Sequence, residues 1–190
     1  LATGSMPKRL GILGEKEFAG RGVTYCSVCD GPLFSGKEVA IIGGGDSALD
    51  AVDFMKDIAS KIYILVDEEK FTANESLQAK VKKNPKVEIF FGVKILSIFG
   101  GAFVSGLKMK YQGKDKELKV EGVIIEAGRR PSTENFRNLV KLDEHKHILI
   151  DCWGQTKTPG VFAAGDCASG HEYQYVIAAG QGAMALLKVA

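Results

Sequence analysis

The sequence predicts an α/β fold with a parallel sheet, and three observations predict it. Apolar strand-like runs alternate with helix-period segments between residues 38 and 91. The first run ends on a glycine cluster that opens directly into a helix pattern. After residue 94 the period changes to short strands separated by glycine turns, the mark of an antiparallel β-meander. In order, Glu38–Ile42 is a buried strand, and 46–59 is a helix with Ala48, Val52, Met55 and Ala59 on one face. A second strand follows over 61–66, a short helix over 76–83 stopped by Asn84-Pro85, and a third strand over 87–91. A β-α-β-α-β order implies right-handed crossovers. Strands are then expected over 94–99, 104–112 and 118–127, with turns at Gly100-Gly101 and Gly113-Lys114-Asp115. Beyond Gly128-Arg129-Arg130-Pro131 the character shifts again. A strand over 147–151, a buried apolar run over 161–164 and a small-residue helix over 173–188 complete the chain.

Composition narrows the function classes. The 190 residues are 45% hydrophobic and 25% charged, ordinary for a chain that buries a core. A net charge of +2 with scattered lysines argues against nucleic acid, and no apolar run approaches the roughly 18 residues of a membrane span. The start lacks a signal pattern, so the expected compartment is the reducing cytoplasm. Leu1-Ala2-Thr3-Gly4 resembles the end of a strand and the last segment half a domain, so the chain is expected to be cut from a longer protein.

Gly43-x-Gly45-x-x-Ala48 lies between a strand and a helix, the context in which such a pattern holds a dinucleotide. Gly43 permits the tight turn, Gly45 lets backbone approach the phosphates, and Ala48 allows close helix–strand packing. Asp46 and Ser47 open the helix, whose N-terminal amides attract a pyrophosphate. About 20 residues on, Asp67 and Glu68 are placed to accept hydrogen bonds from ribose hydroxyls and to repel a 2′-phosphate, which favours NADH over NADPH. The same charges also read as a solvated turn.

Upstream stands Cys26-Ser27-Val28-Cys29 followed by Asp30. A disulfide closing four residues stabilises by only about 2 kcal/mol in the chain-entropy model, so the pair is better suited to redox exchange than to stapling. Asp30 is a candidate general acid or base beside those sulfurs. A zinc site is the alternative, but Cys152 and Cys167 lie 15 residues apart and His145 and His147 stand away from them. Both of those cysteines read as inert core residues.

Taken together, these segments resemble the low-molecular-weight thioredoxin reductases and their relatives, the flavoprotein subunits of alkyl hydroperoxide reductase. Gly20-Arg21-Gly22-Val23 with Cys26-x-x-Cys29-Asp30-Gly31 resembles the redox motif, and the 39–48 segment resembles the nicotinamide-nucleotide loop. Thr158-Pro159-Gly160-Val161-Phe162-Ala163-Ala164-Gly165-Asp166 is similar to the late flavin motif. The resemblance implies that Asp166 binds the ribityl chain of FAD and that residues 167–175, with Gln174 and Tyr175, lie along the flavin ring. It also implies a Rossmann-like three-layer domain (7–127) inserted into a split FAD domain, represented by 1–6 and 128–190, with hinges near Gly4 and Gly128. Gly128 is also counted among the cofactor-binding residues. Such a fragment is expected to bind FAD poorly alone.

The implied mechanism passes a hydride from nicotinamide to FAD, which opens the Cys26–Cys29 disulfide. Cys29 then faces the flavin, Cys26 attacks the partner disulfide, and Asp30 exchanges the proton. The implied partner is a thioredoxin- or glutaredoxin-like protein, and the full-length form is expected to be a homodimer. Where NADPH-using relatives carry a basic run, this chain has Val66-Asp67-Glu68 and Thr72, so NADH, or a donor such as ferredoxin or deazaflavin, is indicated. Asp30-Gly31-Pro32-Leu33-Phe34 looks more like the peroxide-reductase flavoproteins, with Leu33 and Phe34 either an exposed docking patch or core. The alternatives are an NADH-dependent donor of a peroxidase system and a nucleotide-binding regulatory module without turnover.

Overall fold

The computed structural model describes residues 1–170 and 173–189. In chain order its elements are β1 (Ser5–Pro7), β2 (Val23–Thr24), α1 (Ser27–Asp30), β3 (Glu38–Ile42), α2 (Asp46–Met55), β4 (Lys61–Leu65) and α3 (Glu75–Lys83). There follow β5 (Val87–Phe90), β6 (Lys94–Gly100), β7 (Val104–Tyr111), β8 (Lys114–Leu118), β9 (Gly122–Ile125), β10 (Arg129–Pro131) and α4 (Tyr175–Val189). The chain divides into two compact units, one of Lys8–Gly128 and one of Leu1–Pro7 with Arg129–Ala190.

The Lys8–Gly128 unit is built on a five-stranded parallel sheet in the order β2-β9-β3-β4-β5. Alternate residues of β3 serve opposite faces, as a period of two requires. Val39 and Ile41 pack with Leu49, Val52 and Met55 of α2, whereas Ala40 and Ile42 pack with Leu107 and Met109 of β7. Both faces are therefore covered, by helices on one side and by the antiparallel sheet β6-β7-β8 on the other. Three layers result, and the continuous apolar character of β3 and β4 is explained: Val39, Ala40, Ile41, Ile62 and Ile64 are fully buried.

Four expectations are corrected here. Residues 118–127 are not one strand. Leu118 ends the antiparallel sheet, and Gly122–Ile125 returns to the parallel sheet between β2 and β3. Val120 stays buried at the crossover, so the apolar pattern shows no gap. Second, Lys114 and Asp115 are strand residues rather than turn: Gln112 (φ 50°) and Gly113 (φ 77°) make the two-residue hairpin, a turn that needs two positive φ values. Helix α2 stops at Met55 instead of 59: beyond it the Ile58 N–H bonds the Met55 carbonyl only three residues back (3.0 Å), and the Ser60 N–H leaves for the Lys37 carbonyl (2.9 Å). Finally, 147–151 makes only isolated bridges, Leu142 to Ile148 and Ile148 to Ala168.

In the second unit β1 pairs antiparallel with β10. Its core gathers Val140, Ile148, Ala163, Cys167 and Ala168. Of the 161–164 run, Ala163 alone is fully buried; Leu1 lies against it, its N-terminus donating to the Phe162 carbonyl (2.6 Å) and its carbonyl accepting from the Ala164 N–H (3.0 Å). Cys167 is buried, but Cys152 is exposed, in a turn where Asp151 Oδ1 accepts the Trp153 and Gln155 amides; the core reading of Cys152 is thus corrected.

Candidate dithiol and dinucleotide sites

Strand β2 delivers the dithiol. Thr24 is paired in register with Ile124, and two residues later Cys26 caps the single turn α1, the Cys29 N–H pointing at Cys26 Sγ (3.1 Å). Cys26 and Cys29 are joined in a disulfide, which engages both sulfurs that a zinc site would need. Among the described residues no group of three or more His, Cys, Asp and Glu could hold a metal. Asp30 closes the turn, its N–H on the Cys26 carbonyl (3.2 Å) and its Oδ2 accepting from the Thr24 hydroxyl. Around the disulfide Val28 and Leu33 are exposed, whereas Phe34 is buried against Gly122, so the Leu33-Phe34 pair divides between surface and core.

A buried carboxylate that the sequence did not announce supports the redox segment. Glu15, 1% exposed, accepts from the Tyr25 hydroxyl (2.6 Å) and the amides of Leu10 (3.0 Å) and Gly11 (2.7 Å). Burial pushes its carboxyl up, but bonds from Tyr25 and the 10–12 backbone outweigh that and hold it below the usual value. Tyr25 is pushed up to about 12, first by burial and then by Glu15. Within Glu15-Lys16-Glu17 this residue looks like solvated surface; Gly11 and Gly14, both at positive φ, were the available sign of a tight loop here.

Gly43, Gly44, Gly45, Asp46 and Ser47 line a cavity of about 920 Å³. The three glycines do different work. A Cβ on Gly43 (φ 141°) would lie 2.3 Å from the Glu126 carbonyl oxygen, and one on Gly44 would lie 2.6 Å from Val66 Cγ1. Gly45 has nothing nearer than Thr72 Oγ1 at 3.7 Å, so its open side is available to a ligand. Helix α2 begins there without a side-chain cap, leaving its first amides to an anion, and buried Ala48 packs beneath. These features fit a pyrophosphate. The Asp46 carboxylate instead accepts the Asn74 N–H (2.7 Å) and ties down the 72–74 loop.

Asp67 and Glu68, both exposed, line the same cavity, as does Gly128 at φ 90°. Lys8, Arg9 and Lys94 line it too. Sequence reasoning looked for cations only beside Asp67 and missed these three, which reach the cavity from distant parts of the chain.

In the other unit Asp166 accepts from Ser5 Oγ (2.8 Å), with Arg129 Nε at 4.0 Å from the same oxygen and 2.7 Å from that hydroxyl. The carboxylate side chain is 25% exposed, which leaves room to accept a polyol hydroxyl, as a flavin ribityl chain would require. Gln181 Oε1 holds the Gly165 N–H (2.7 Å), a contact not foreseen. The Gln174 carbonyl accepts the Ala178 N–H (2.9 Å) at the start of α4, and Tyr175 is 98% exposed. His171 and Glu172 of the expected flavin-ring segment lie outside the described residues.

Known proteins match the chain over nearly its whole length. The family model of the pyridine nucleotide-disulphide oxidoreductases matches residues 1–183. The chain is 38% identical over 190 residues to an alkyl hydroperoxide reductase subunit of Pseudomonas putida, covering 98% of this chain and 36% of that protein. It is 37% identical over 189 residues to thioredoxin reductase of Spironucleus barkhanus, covering 98% and 62%. The crystal structure of Lactococcus lactis thioredoxin reductase in its FR conformation superposes with a TM-score of 0.88 at 32% identity, covering 99% of this chain and 63% of that one. The chain thus spans between 36% and 63% of the length of these relatives. With a parallel sheet, a glycine-lined cavity, a Cys-x-x-Cys disulfide and a family match over nearly its whole length, the chain belongs to the pyridine nucleotide-disulphide oxidoreductases.

Proposed function

We propose that this chain carries the dithiol and nucleotide-binding parts of a thioredoxin reductase-like flavoprotein. The observation that carries the reading is the Cys26–Cys29 disulfide beside Asp30 on the same compact unit as the glycine-lined cavity. The amides at Gly45–Ser47 bind the pyrophosphate of a nicotinamide dinucleotide, and Asp67 and Glu68 accept its ribose hydroxyls. Two carboxylates there disfavour a 2′-phosphate, so NADH is the preferred donor, with Lys8, Arg9 and Lys94 offsetting the remaining phosphate charge. In the second unit Asp166, Gln174 and Tyr175 would hold FAD, which when bound would supply two-electron exchange between nicotinamide and disulfide.

Cys29 would be the sulfur that exchanges electrons with FAD; Cys26 attacks the disulfide of a thioredoxin- or glutaredoxin-like partner, and Asp30 moves the thiol proton. The exposed Val28 and Leu33 beside the disulfide suit docking of such a partner. Gly4 and Gly128, both at positive φ in open space, serve as hinges. The full-length protein works in the cytoplasm as a homodimer. A second reading, the NADH-dependent donor of a peroxidase system, is favoured by the 38% identity to the Pseudomonas putida alkyl hydroperoxide reductase protein and by the Gly31-Pro32-Leu33-Phe34 segment.

Stopped-flow mixing of the flavin-loaded, full-length protein with NADH and NADPH in parallel tests the proposal. Flavin absorbance is expected to bleach faster with NADH, and Cys29→Ser is expected to keep that bleaching while losing disulfide reduction. Failure of both nucleotides would reject the donor assignment, and undiminished disulfide reduction by Cys29→Ser would reject the dithiol.

A further inference from the structure

Thr24 stands between the disulfide turn and the acid. It is 6% exposed and fixed on β2 by its pairing with Ile124. Its Oγ1 accepts the Cys26 N–H (3.2 Å) and bonds Asp30 Oδ2. Valence sets the direction of both bonds: an amide N–H can only donate and a carboxylate can only accept, so the single hydroxyl proton goes to Asp30 and a lone pair takes the amide. With Oδ2 held, Oδ1 is the oxygen left to meet a thiol. The Asp30 N–H on the Cys26 carbonyl fixes the same residue from its backbone end. The carboxylate is therefore tied to a residue of the parallel sheet as well as to the one-turn helix that carries it.

We propose that Thr24 is a positioning residue for Asp30, aiming its carboxylate at the dithiol while bracing the Cys26 amide. This rests on the acid–base reading of Asp30 given above. In the exchange, the Cys26 thiol gives its proton to Asp30 Oδ1, and its sulfur bonds to one sulfur of a substrate disulfide as the substrate S–S bond breaks. Cys29 sulfur then attacks Cys26 Sγ in the mixed disulfide and closes the Cys26–Cys29 bond. The chain dithiol is oxidised by two electrons, the substrate disulfide is reduced by two, and the two thiol protons end on the released sulfurs.

The test uses the full chain, pre-reduced, mixed with hydroxyethyl disulfide, with remaining thiols counted after acid quench. Asp30→Asn is expected to slow oxidation about 100-fold, the usual size of a general-base effect. Thr24→Val should slow it about 10-fold and Thr24→Ser should stay within about threefold of the parent, since Ser restores the hydroxyl. If Thr24 acts through Asp30, adding Thr24→Val to Asp30→Asn changes the rate by less than about twofold. Losses that multiply would assign Thr24 a merely structural effect and overturn the proposal, as would Thr24→Val at the parent rate with Asp30→Asn slow. Asp30→Asn at the parent rate would overturn the acid–base reading instead. Circular dichroism checks the fold of each variant, and Thr24→Ala replaces Thr24→Val should the latter not fold.

Discussion

Substituting alanine at Gly43 and at Gly45 separates a glycine needed by the fold from one needed by the ligand. At Gly43 the new methyl would lie 2.3 Å from the Glu126 carbonyl oxygen, and the backbone sits at φ 141°. Glu126 cannot retreat, because its N–H is bonded to the Ile42 carbonyl at 2.8 Å in the sheet. The positive φ costs about 1–3 kcal/mol and the overlap about as much again, so about 4 kcal/mol is expected for Gly43→Ala. For a unit of this size that lowers the melting temperature by about 10–20 °C. At Gly45 φ is −90° and the nearest atom is 3.7 Å away. There the weaker helix cap and the stiffer unfolded chain nearly cancel, so stability should stay within about 0.5 kcal/mol. The methyl would nevertheless stand where phosphate approaches the α2 amides, and the Kd for NAD+ should rise at least about tenfold, or about 1.4 kcal/mol. Thermal melts by circular dichroism and titration calorimetry with NAD+ measure both quantities. Gly45→Ala binding NAD+ as tightly as the parent would refute the phosphate cradle, and Gly43→Ala melting at the parent temperature would refute the close-approach argument.

Two further outcomes follow from burial and charge. Phe34→Ala, in the core against Gly122, should cost about 3–5 kcal/mol by chemical denaturation, whereas Leu33→Ser should leave stability unchanged and raise the KM for a thioredoxin-like substrate about fivefold. Glu15 has a lowered folded pKa, so the stability it contributes is present above its ordinary value of 4.5 and is lost as pH falls through the folded value; Tyr25 is raised from 10 to about 12, so its contribution is present below pH 10 and lost as pH rises towards 12. Glu15→Gln should flatten both limbs of a stability–pH curve and bring the Tyr25 phenolate transition down towards 10, read by ultraviolet absorbance; an unmoved transition would mean that burial alone sets it.

The β3-α2-β4-α3-β5 core was legible because its periodicity and its glycine break agree with one another, as does the two-sided burial of β3 and β4. The placement of β9 was not, since Leu118, Val120, Gly122 and Ile124 keep the same two-residue alternation of buried positions on both sides of the change of sheet. Residues 147–151 hold a strand-like apolar run, Ile148-Leu149-Ile150, yet Ile148 supplies both of the bridges there. At the candidate sites the motif-borne residues Cys26, Cys29, Gly43 and Gly45 were found from sequence, because their spacing is itself the chemistry. Lys8, Arg9 and Lys94 were not, since a cavity wall assembled from separate segments has no spacing to read. Glu15 was hidden by its charged neighbours, for burial of a carboxylate depends on donors that only the folded loop brings together.

The position of β9 also bears on the order of assembly. Val23–Thr24, the strand from which the disulfide turn springs, pairs in the sheet with Val123 and Ile124, a hundred residues later in synthesis. As the chain leaves the ribosome, the two sulfurs emerge long before the strand that seats them, and loop closure over that distance makes this pairing a late one. A nascent chain halted before Gly122 would present the Cys-x-x-Cys thiols on an unanchored segment, open to premature oxidation or wrong partners.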